Sequence, residues 1–373
     1  MTFEEARAAF PVLERVAYLN TGSAGPLARA TLEAMEAQER ADLERGRGSI
    51  PYFREMLEHR DRVRGQIAAL IGADASRVAL TFSTSSACNI VLAGLDLGLE
   101  DEIVTTDVEH FGLLGPLHAS GARVRVAAVC DLPPERALDA ILAEVGPRTR
   151  LLALSHVAWT TGNLLPVAEL KAQTGLPILV DGAQSVGAIP VDVTLFDYYT
   201  VSGQKWLCGP EPTGALYVAD PERLRVALPT YVSQASYEPD GAFEPKEGAA
   251  RFDSGAIPRP SLAGLEAALA GAPEWRFERA GETAGRCREL LAERYEIVTA
   301  PGQATLVTFR PDGDAAETAA RLYERGVVVR DMPRTPWLRV SVGYWTSEGD
   351  LERLLAALAS TCVPGHGGPG TRS

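Results

Sequence analysis

Positive charge is what this 373-residue chain is short of: 36 Lys and Arg stand against 49 Asp and Glu, a formal net charge of −13. A surface so weighted excludes wholesale binding of DNA, RNA or anionic lipid, while leaving room for a local basic pocket that takes an anionic small molecule. Cysteine is scarce as well. Cys88, Cys130, Cys208, Cys287 and Cys362 are scattered, with no CxxC pair and no cluster with histidine, so neither a disulfide framework nor a metal site is expected. No apolar run is long enough to cross a bilayer; LLALSHVAW and LPILVDGA are short and read as buried strands. The opening residues MTFEEARAAFPVLERVAYLN lack a basic stretch followed by an apolar one, so no signal peptide and a cytoplasmic location are expected. Repeats and low-complexity blocks are missing too. Only the tail, 361–373, ending GHGGPGTRS, has too little apolar surface to offset the entropy of ordering, and it reads as disordered.

What the chain does have is apolar content, 46%, enough for a large core and more than one lobe. From about 78 to 218, short β runs (RVALTF, DEIVTT, RVRVAAV, RLLALSH, PILVDGA, DYYTVSG, GALYVA) alternate with helical segments such as SACNIVLAGL and PPERALDAILAEV. That alternation predicts an α/β fold with a large, mainly parallel mixed sheet sandwiched by helices. After about 258 the texture changes to a smaller α+β unit, with strands TLVTFR, VVVRDM and LRVSVGYW and a last helix SEGDLERLLAAL. The expected division is an N-terminal arm 1–20, a large domain 21–258 and a small C-terminal domain 259–360, with 229–260 a long active-site or interface loop.

Chemistry-bearing residues fall at the ends of these elements. Asp181 closes the apolar strand of PILVDGAQSVG, at the carboxyl end where open α/β sheets place ligands, and could pair with a protonated ring nitrogen; a turn-capping aspartate is the plain alternative. Gln184 could start a helix or donate to a ligand oxygen. Lys205, in SGQKW, stands between an apolar β run and Trp206-Leu207; a buried lysine has its pKa lowered and attacks aldehydes to form Schiff bases, whereas a surface lysine would snorkel. Ser202 supplies a hydroxyl nearby. In TFSTSSACNIVLAGL, Thr84, Ser85 and Ser86 sit where a helix N-terminus can bind phosphate, or simply cap the helix. His110, after the strand of DEIVTT, could stack on a flat ring or shuttle protons. Arg330 and Arg339 flank late strands and suit either surface ion pairs or a carboxylate clamp. Asn20 opens the Gly/Pro-rich loop LNTGSAGPL, one of those expected to set specificity.

In that order, these motifs resemble fold-type I pyridoxal 5′-phosphate (PLP) enzymes of the class V aminotransferase/cysteine desulfurase group, over about 18–358, with DGAQS…SGQKW the most specific segment. Within the group the chain is most similar to L-cysteine/cystine C–S lyases. The resemblance implies that Lys205 holds PLP as an internal aldimine, Asp181 meets the pyridinium nitrogen, and Gln184 meets the phenolic oxygen. His110 would stack on the ring, Thr84, Ser85 and Ser202 would hold the phosphate, and Arg339 would bind a substrate carboxylate with Arg330 assisting. It implies an obligate homodimer with active sites at the subunit interface, in which a partner subunit completes the phosphate site from Gly255-Ala256.

Three departures bear on the reaction. The stretch from Arg330 to Arg339 contains no cysteine, where desulfurases carry a nucleophilic one. Gln204 stands where relatives usually have His, and Ala256 where many have a hydroxyl. The expectation is therefore β-elimination on cysteine- or cystine-type amino acids. Transamination or epimerisation of the isopenicillin N epimerase-like kind is the alternative, and a desulfurase or a non-catalytic PLP-binding module ranks lower.

Overall fold

The computed structural model describes residues 1–360; the tail expected to be disordered, 361–373, and Cys362 lie outside the described residues. Each of the seven apolar β runs becomes a strand of one sheet: β1 Val78–Thr81, β2 Glu102–Thr106, β3 Arg123–Ala127, β4 Thr149–Ser155, β5 Ile178–Asp181, β6 Tyr198–Ser202 and β7 Gly214–Val218. The spatial order is β1-β7-β6-β5-β4-β2-β3. β3, β2, β4, β5 and β6 run parallel, and β7 lies antiparallel to both β6 and β1. Every residue of β2, β5 and β7 is buried, as expected for strands covered on both faces, and two apolar clusters fill the spaces above and below the sheet.

The strand order decides where a ligand can sit. The chain steps outward from β2 to β3, then returns across β2 to β4 and continues the other way. Between β2 and β4 the winding reverses, and a crevice opens beyond their carboxyl ends. β5 and β6 deliver Asp181 and Ser202 to the same rim.

The C-terminal unit is built on four antiparallel strands, β8 Glu296–Ile297, β9 Leu306–Arg310, β10 Arg330–Asp331 and β11 Leu338–Ser341, in the order β8-β9-β11-β10. Helices Arg276–Ala292, Ala315–Glu324 and Glu348–Ala359 pack on them around Phe309, Leu322 and Leu338. The N-terminal arm docks on this unit: Ala17-Tyr18 pairs in parallel with Val327-Val328, and Phe10 packs against Tyr344 and Trp345. The stretch expected to be a long loop, 229–260, contains an exposed antiparallel hairpin, Gln234–Tyr237 with Phe243–Pro245. Among the described residues no helix is long and apolar enough to cross a membrane.

One buried charge cluster ties that stretch to the sheet. Asp253, 1% exposed, accepts hydrogen bonds from Arg60 (3.0 Å), from both terminal nitrogens of Arg64 (2.9 and 3.0 Å) and from the Leu80 amide of β1 (2.8 Å). The two guanidiniums hold the Asp253 carboxyl below its ordinary pKa against the opposing effect of burial. Removing one member leaves buried charge uncompensated, so Asp253→Asn should cost about 3–5 kcal/mol in denaturant unfolding. The depressed carboxyl also sets the sign of the pH effect. The cluster's contribution is complete above about pH 4, the unfolded aspartate value, and is lost as pH falls through the lower folded value. Acid unfolding of the Asn variant should therefore show a shallower pH dependence than that of the wild type.

Candidate active site

The residues of the crevice assemble from seven segments. β2 ends at Thr106, and three residues later Glu109 folds back under the rim. Its carboxyl accepts from Thr106 Oγ1 (2.6 Å), the Ser155 amide (2.9 Å) and the Ser155 hydroxyl, which locks the ends of β2 and β4 together. Burial pushes Glu109 up to about 7. His110 follows as the N-cap of helix Phe111–Ala119, its Nδ1 accepting from the Gly112 amide at 3.0 Å. Its ring meets Trp159, beyond β4, edge-on with centroids 4.9 Å apart. The two aromatic rings thus touch edge to face at the point where the sheet's winding reverses. Burial, then the nearby Lys205 charge, lower the His110 pKa and favour a neutral imidazole.

Asp181 is 4% exposed at the end of β5. Its Oδ1 accepts from the Ala183 amide (2.9 Å) and Thr200 Oγ1 (3.1 Å), while Oδ2 has no donor among the described residues. A fixed, buried carboxylate with one free oxygen is a built acceptor for a charged donor on a ligand. Lys205 lies just past β6, and no carboxylate comes within ion-pairing distance of its Nζ among the described residues. Burial pulls its pKa down to about 8, Asp181 opposing and Arg339 assisting.

Helix Thr84–Gly94 begins at the rim after β1. Of the two readings of the Ser/Thr cluster, Ser86 takes the helix cap: Ser83 is the N-cap, and the Ser83 and Ser86 hydroxyls are spent on each other's backbone in a capping box. Thr84 and Ser85, at the first two helical positions, keep free hydroxyls. Ser85 Oγ sits over Gly112, where an added Cβ would approach within 2.5 Å, so the helix start and the His110 turn are in contact. Ser202 donates to Gln204 Oε1 at 2.9 Å. Gln184 is mostly committed within the chain: Oε1 accepts from Trp206 Nε1 (3.0 Å) and Nε2 donates to the Gly22 carbonyl (2.8 Å), leaving one N–H.

The loop LNTGSAGPL closes over this group. The Gly25 amide donates to the Gln204 carbonyl (2.7 Å), and a Cβ at Gly25 would stand 2.2 Å from the Lys205 carbonyl; one at Gly22 would stand 2.7 Å from Arg339 Nη2. Only glycine permits either approach. Asn20 bridges to Ser341, two residues past Arg339, and its Oδ1 accepts from Ser23.

Arg339 is 1% exposed and pairs with no carboxylate among the described residues. Its Nη1 donates to the Trp159 carbonyl at 2.8 Å and its Nε has no partner. Burial and the nearby Arg330 charge push it down to about 9. Arg330 is exposed, stands directly opposite Arg339 across the β10–β11 ladder and is likewise unpaired. Like charges opposed in a sheet destabilise it, and a buried unpaired guanidinium costs several kcal/mol. Such an arrangement persists where an anion completes it. Gly255 stands apart: its carbonyl accepts from Arg60 at 3.3 Å, and no contact joins it to the other site residues of its own chain.

These features fit the expected PLP. An amine is available for its aldehyde, a free Asp181 oxygen for its ring nitrogen, two free hydroxyls at a helix start for its phosphate, and an aromatic-lined slot for its ring. Trp159, Glu109 and Ser83 escaped the sequence reading; a Trp four residues past a strand end was the available signal for the first. Among the described residues no group of three or more His, Cys, Asp and Glu is placed to hold a metal.

Comparison with known proteins agrees with this geometry. The family profile for class V aminotransferases matches residues 17–353. Isopenicillin N epimerase from Streptomyces clavuligerus is 34% identical, covering 95% of this chain and 97% of the relative. The solved complex of the cystine C–S lyase C-DES with its product cysteine persulfide superposes with a TM-score of 0.86 at 31% identity, covering 94% of this chain and 99% of that one. A lysine-to-alanine variant of C-DES, with glycine covalently linked to the PLP cofactor, superposes at 0.88 with 30% identity, covering 95% and 98%.

The lowered pKa of Lys205 has a kinetic consequence. Only the neutral amine attacks an aldehyde, so uptake of PLP by the apoprotein should rise with pH through about 8, where a solvated lysine would titrate near its ordinary 10.5. Stopped-flow absorbance across pH 6–11 measures it, and Lys205→Ala should show no covalent uptake.

Proposed function

The chain belongs to the class V aminotransferase family, and on that premise we propose that it is a PLP-dependent lyase that eliminates sulfur from the β-carbon of cystine or a related amino acid. The observation that carries amino-acid chemistry is the pairing of two desolvated cations, Lys205 and Arg339, neither matched by a carboxylate among the described residues. A substrate carboxylate supplies what Arg339 lacks and brings the α-carbon toward Lys205.

Bound PLP supplies an electron sink for charge at the substrate α-carbon. The chain's own residues do the rest. Asp181 Oδ2 holds the proton on the ring nitrogen, and His110, kept neutral, offers a flat face in place of a competing charge. Arg339 clamps the carboxylate, with Arg330 at the rim. Lys205 Nζ, with a pKa near neutrality, takes the α-proton and can return it to the departing sulfur. Thr84, Ser85 and Ser202 hold the phosphate, and the last N–H of Gln184 is free for the phenolic oxygen. We further propose a homodimer in which Gly255-Ala256 reaches the partner's phosphate site.

Elimination is favoured over persulfide transfer to the enzyme by the turn between β10 and β11. It is a tight hairpin closed by a 2.9 Å bond from the Met332 amide to the Trp337 carbonyl, it contains no cysteine, and it is too short to carry one in and out of the crevice. With cystine the balance is complete: cystine and water give pyruvate, ammonia and cysteine persulfide, the Cβ–S bond breaking with the electron pair going to sulfur. A second reading, epimerisation at the α-carbon, is favoured by the 34% likeness to isopenicillin N epimerase.

Purified holoenzyme with cystine should release pyruvate and a persulfide in equal amounts. Inversion of an amino acid without pyruvate would instead establish the epimerase reading. Arg339→Met should lower kcat/KM by roughly 10- to 150-fold, the equivalent of a charged hydrogen bond. It should leave the melting temperature equal or higher, since it removes an unpaired buried charge; a fall in both would mark Arg339 as structural.

A further inference from the structure

A second cavity, of about 490 Å³, lies against the lysine loop but apart from the crevice. Trp206, Leu207 and Cys208 form one wall, and none of Lys205, His110, Asp181 or Arg339 lines it. The remaining walls come from the N-terminal helix Phe3–Ala8 and Phe10 beyond it, from the end of helix Ile50–Leu70, and from the end of helix Arg259–Ala270. Alanines dominate these walls, including Ala69, Ala267 and Ala268, and their small side chains leave the volume open. The size falls within the range of about 300–1,000 Å³ typical of small-molecule sites.

Three polar groups interrupt the apolar lining, each with hydrogen-bonding capacity left unused among the described residues. Arg276 makes no ion pair; its guanidinium donates only to the Pro273 carbonyl, at 2.9 Å, and stacks on Phe277. The Tyr344 hydroxyl, close enough to interact electrostatically with Arg276, makes no hydrogen bond. Gln66 Oε1 is buried with no donor. No aspartate or glutamate lines the cavity, so an amino-acid zwitterion would find no counter-charge for its ammonium. A half-buried cation without a counter-charge and a buried unpaired acceptor in an apolar chamber define their complement: an anionic head, an apolar body and one hydrogen-bond donor.

We propose that this cavity is a binding site for a small apolar carboxylic acid, its carboxylate on Arg276 and Tyr344 and a donor group on Gln66. The site goes beyond the proposed reaction and stands whichever reaction the crevice performs. It also adjoins the crevice mechanically. Trp206 walls the cavity, follows Lys205 directly and donates its indole N–H to Gln184, so an occupant would be felt at the cofactor site.

Calorimetry on the holoenzyme with indole-3-acetate, which combines carboxylate, flat apolar body and N–H, tests the proposal against neutral indole-3-acetamide. Saturable binding of the acetate is expected, with the acetamide at least about tenfold weaker. Arg276→Gln should erase that preference, and Ala268→Phe, which fills the chamber, should abolish binding, both variants retaining basal turnover. Equal binding of acid and amide, binding that survives Ala268→Phe, displacement by the amino-acid substrate, or no saturable binding at millimolar concentrations would each overturn it.

Discussion

The contact on which the site depends is the hydrogen bond from Arg339 to the Trp159 carbonyl. Trp159 belongs to the segment leaving β4 of the large sheet, and Arg339 belongs to β11 of the C-terminal unit. The same segment is fastened to the C-terminal unit by Thr308 Oγ1 on the Thr160 carbonyl, Thr299 Oγ1 on the Thr161 carbonyl, and the Ala300 amide on Asn163 Oδ1. One short stretch therefore sets the distance between the Arg339 guanidinium and the rim that carries His110, Asp181 and Lys205. An arginine delivered from a separate unit has to be located by such a strut, because its reach and its several rotamers would otherwise blur the position of whatever it holds.

Once placed, Arg339 shapes the electrostatics of everything opposite it. Its charge adds to the burial that lowers Lys205 and His110, while Asp181 works the other way on both. The crevice thus has a cationic side, Arg339 with Arg330, and an anionic floor, Asp181, which the proposed function assigns to a substrate anion and a ring nitrogen. The net charge of −13 makes the contrast sharper: unpaired arginines are what an acidic chain has least reason to leave at one rim.

How much of this was legible in the sequence differs by kind of information. The seven strands follow from apolar runs bounded by turn residues, and all seven formed. Asp181 and Lys205 were legible because strand ends and buried lysines carry local signals. Trp159 was not, since its importance comes from the reversal between β2 and β4, a property of strand order that no window of sequence contains. Nor could the cluster STSS disclose that Ser83 and Ser86 would spend their hydroxyls on each other, leaving Thr84 and Ser85 free; each of the four is an acceptable cap. The hairpin at 234–245 was hidden by its own exposure, because a two-stranded ribbon with few buried residues leaves no clean alternation to read.

The thiols extend the argument from the hairpin to the rest of the described chain. A cysteine that accepts sulfur must attack as a thiolate, which requires a basic or polar setting. Burial raises Cys88 well above its ordinary value, Cys208 likewise, and Cys287 to about 12. Cys130, the most exposed of the four, is pushed up to about 11 by partial burial and then by Asp107 and Asp131. Cys208 comes nearest to the lysine, and it lies in the apolar wall of the second cavity, held at a φ of +54°. None of these four is placed as a persulfide carrier, so in the elimination proposed above the sulfur would depart on the small molecule that brought it, which is the chemistry a disulfide substrate permits.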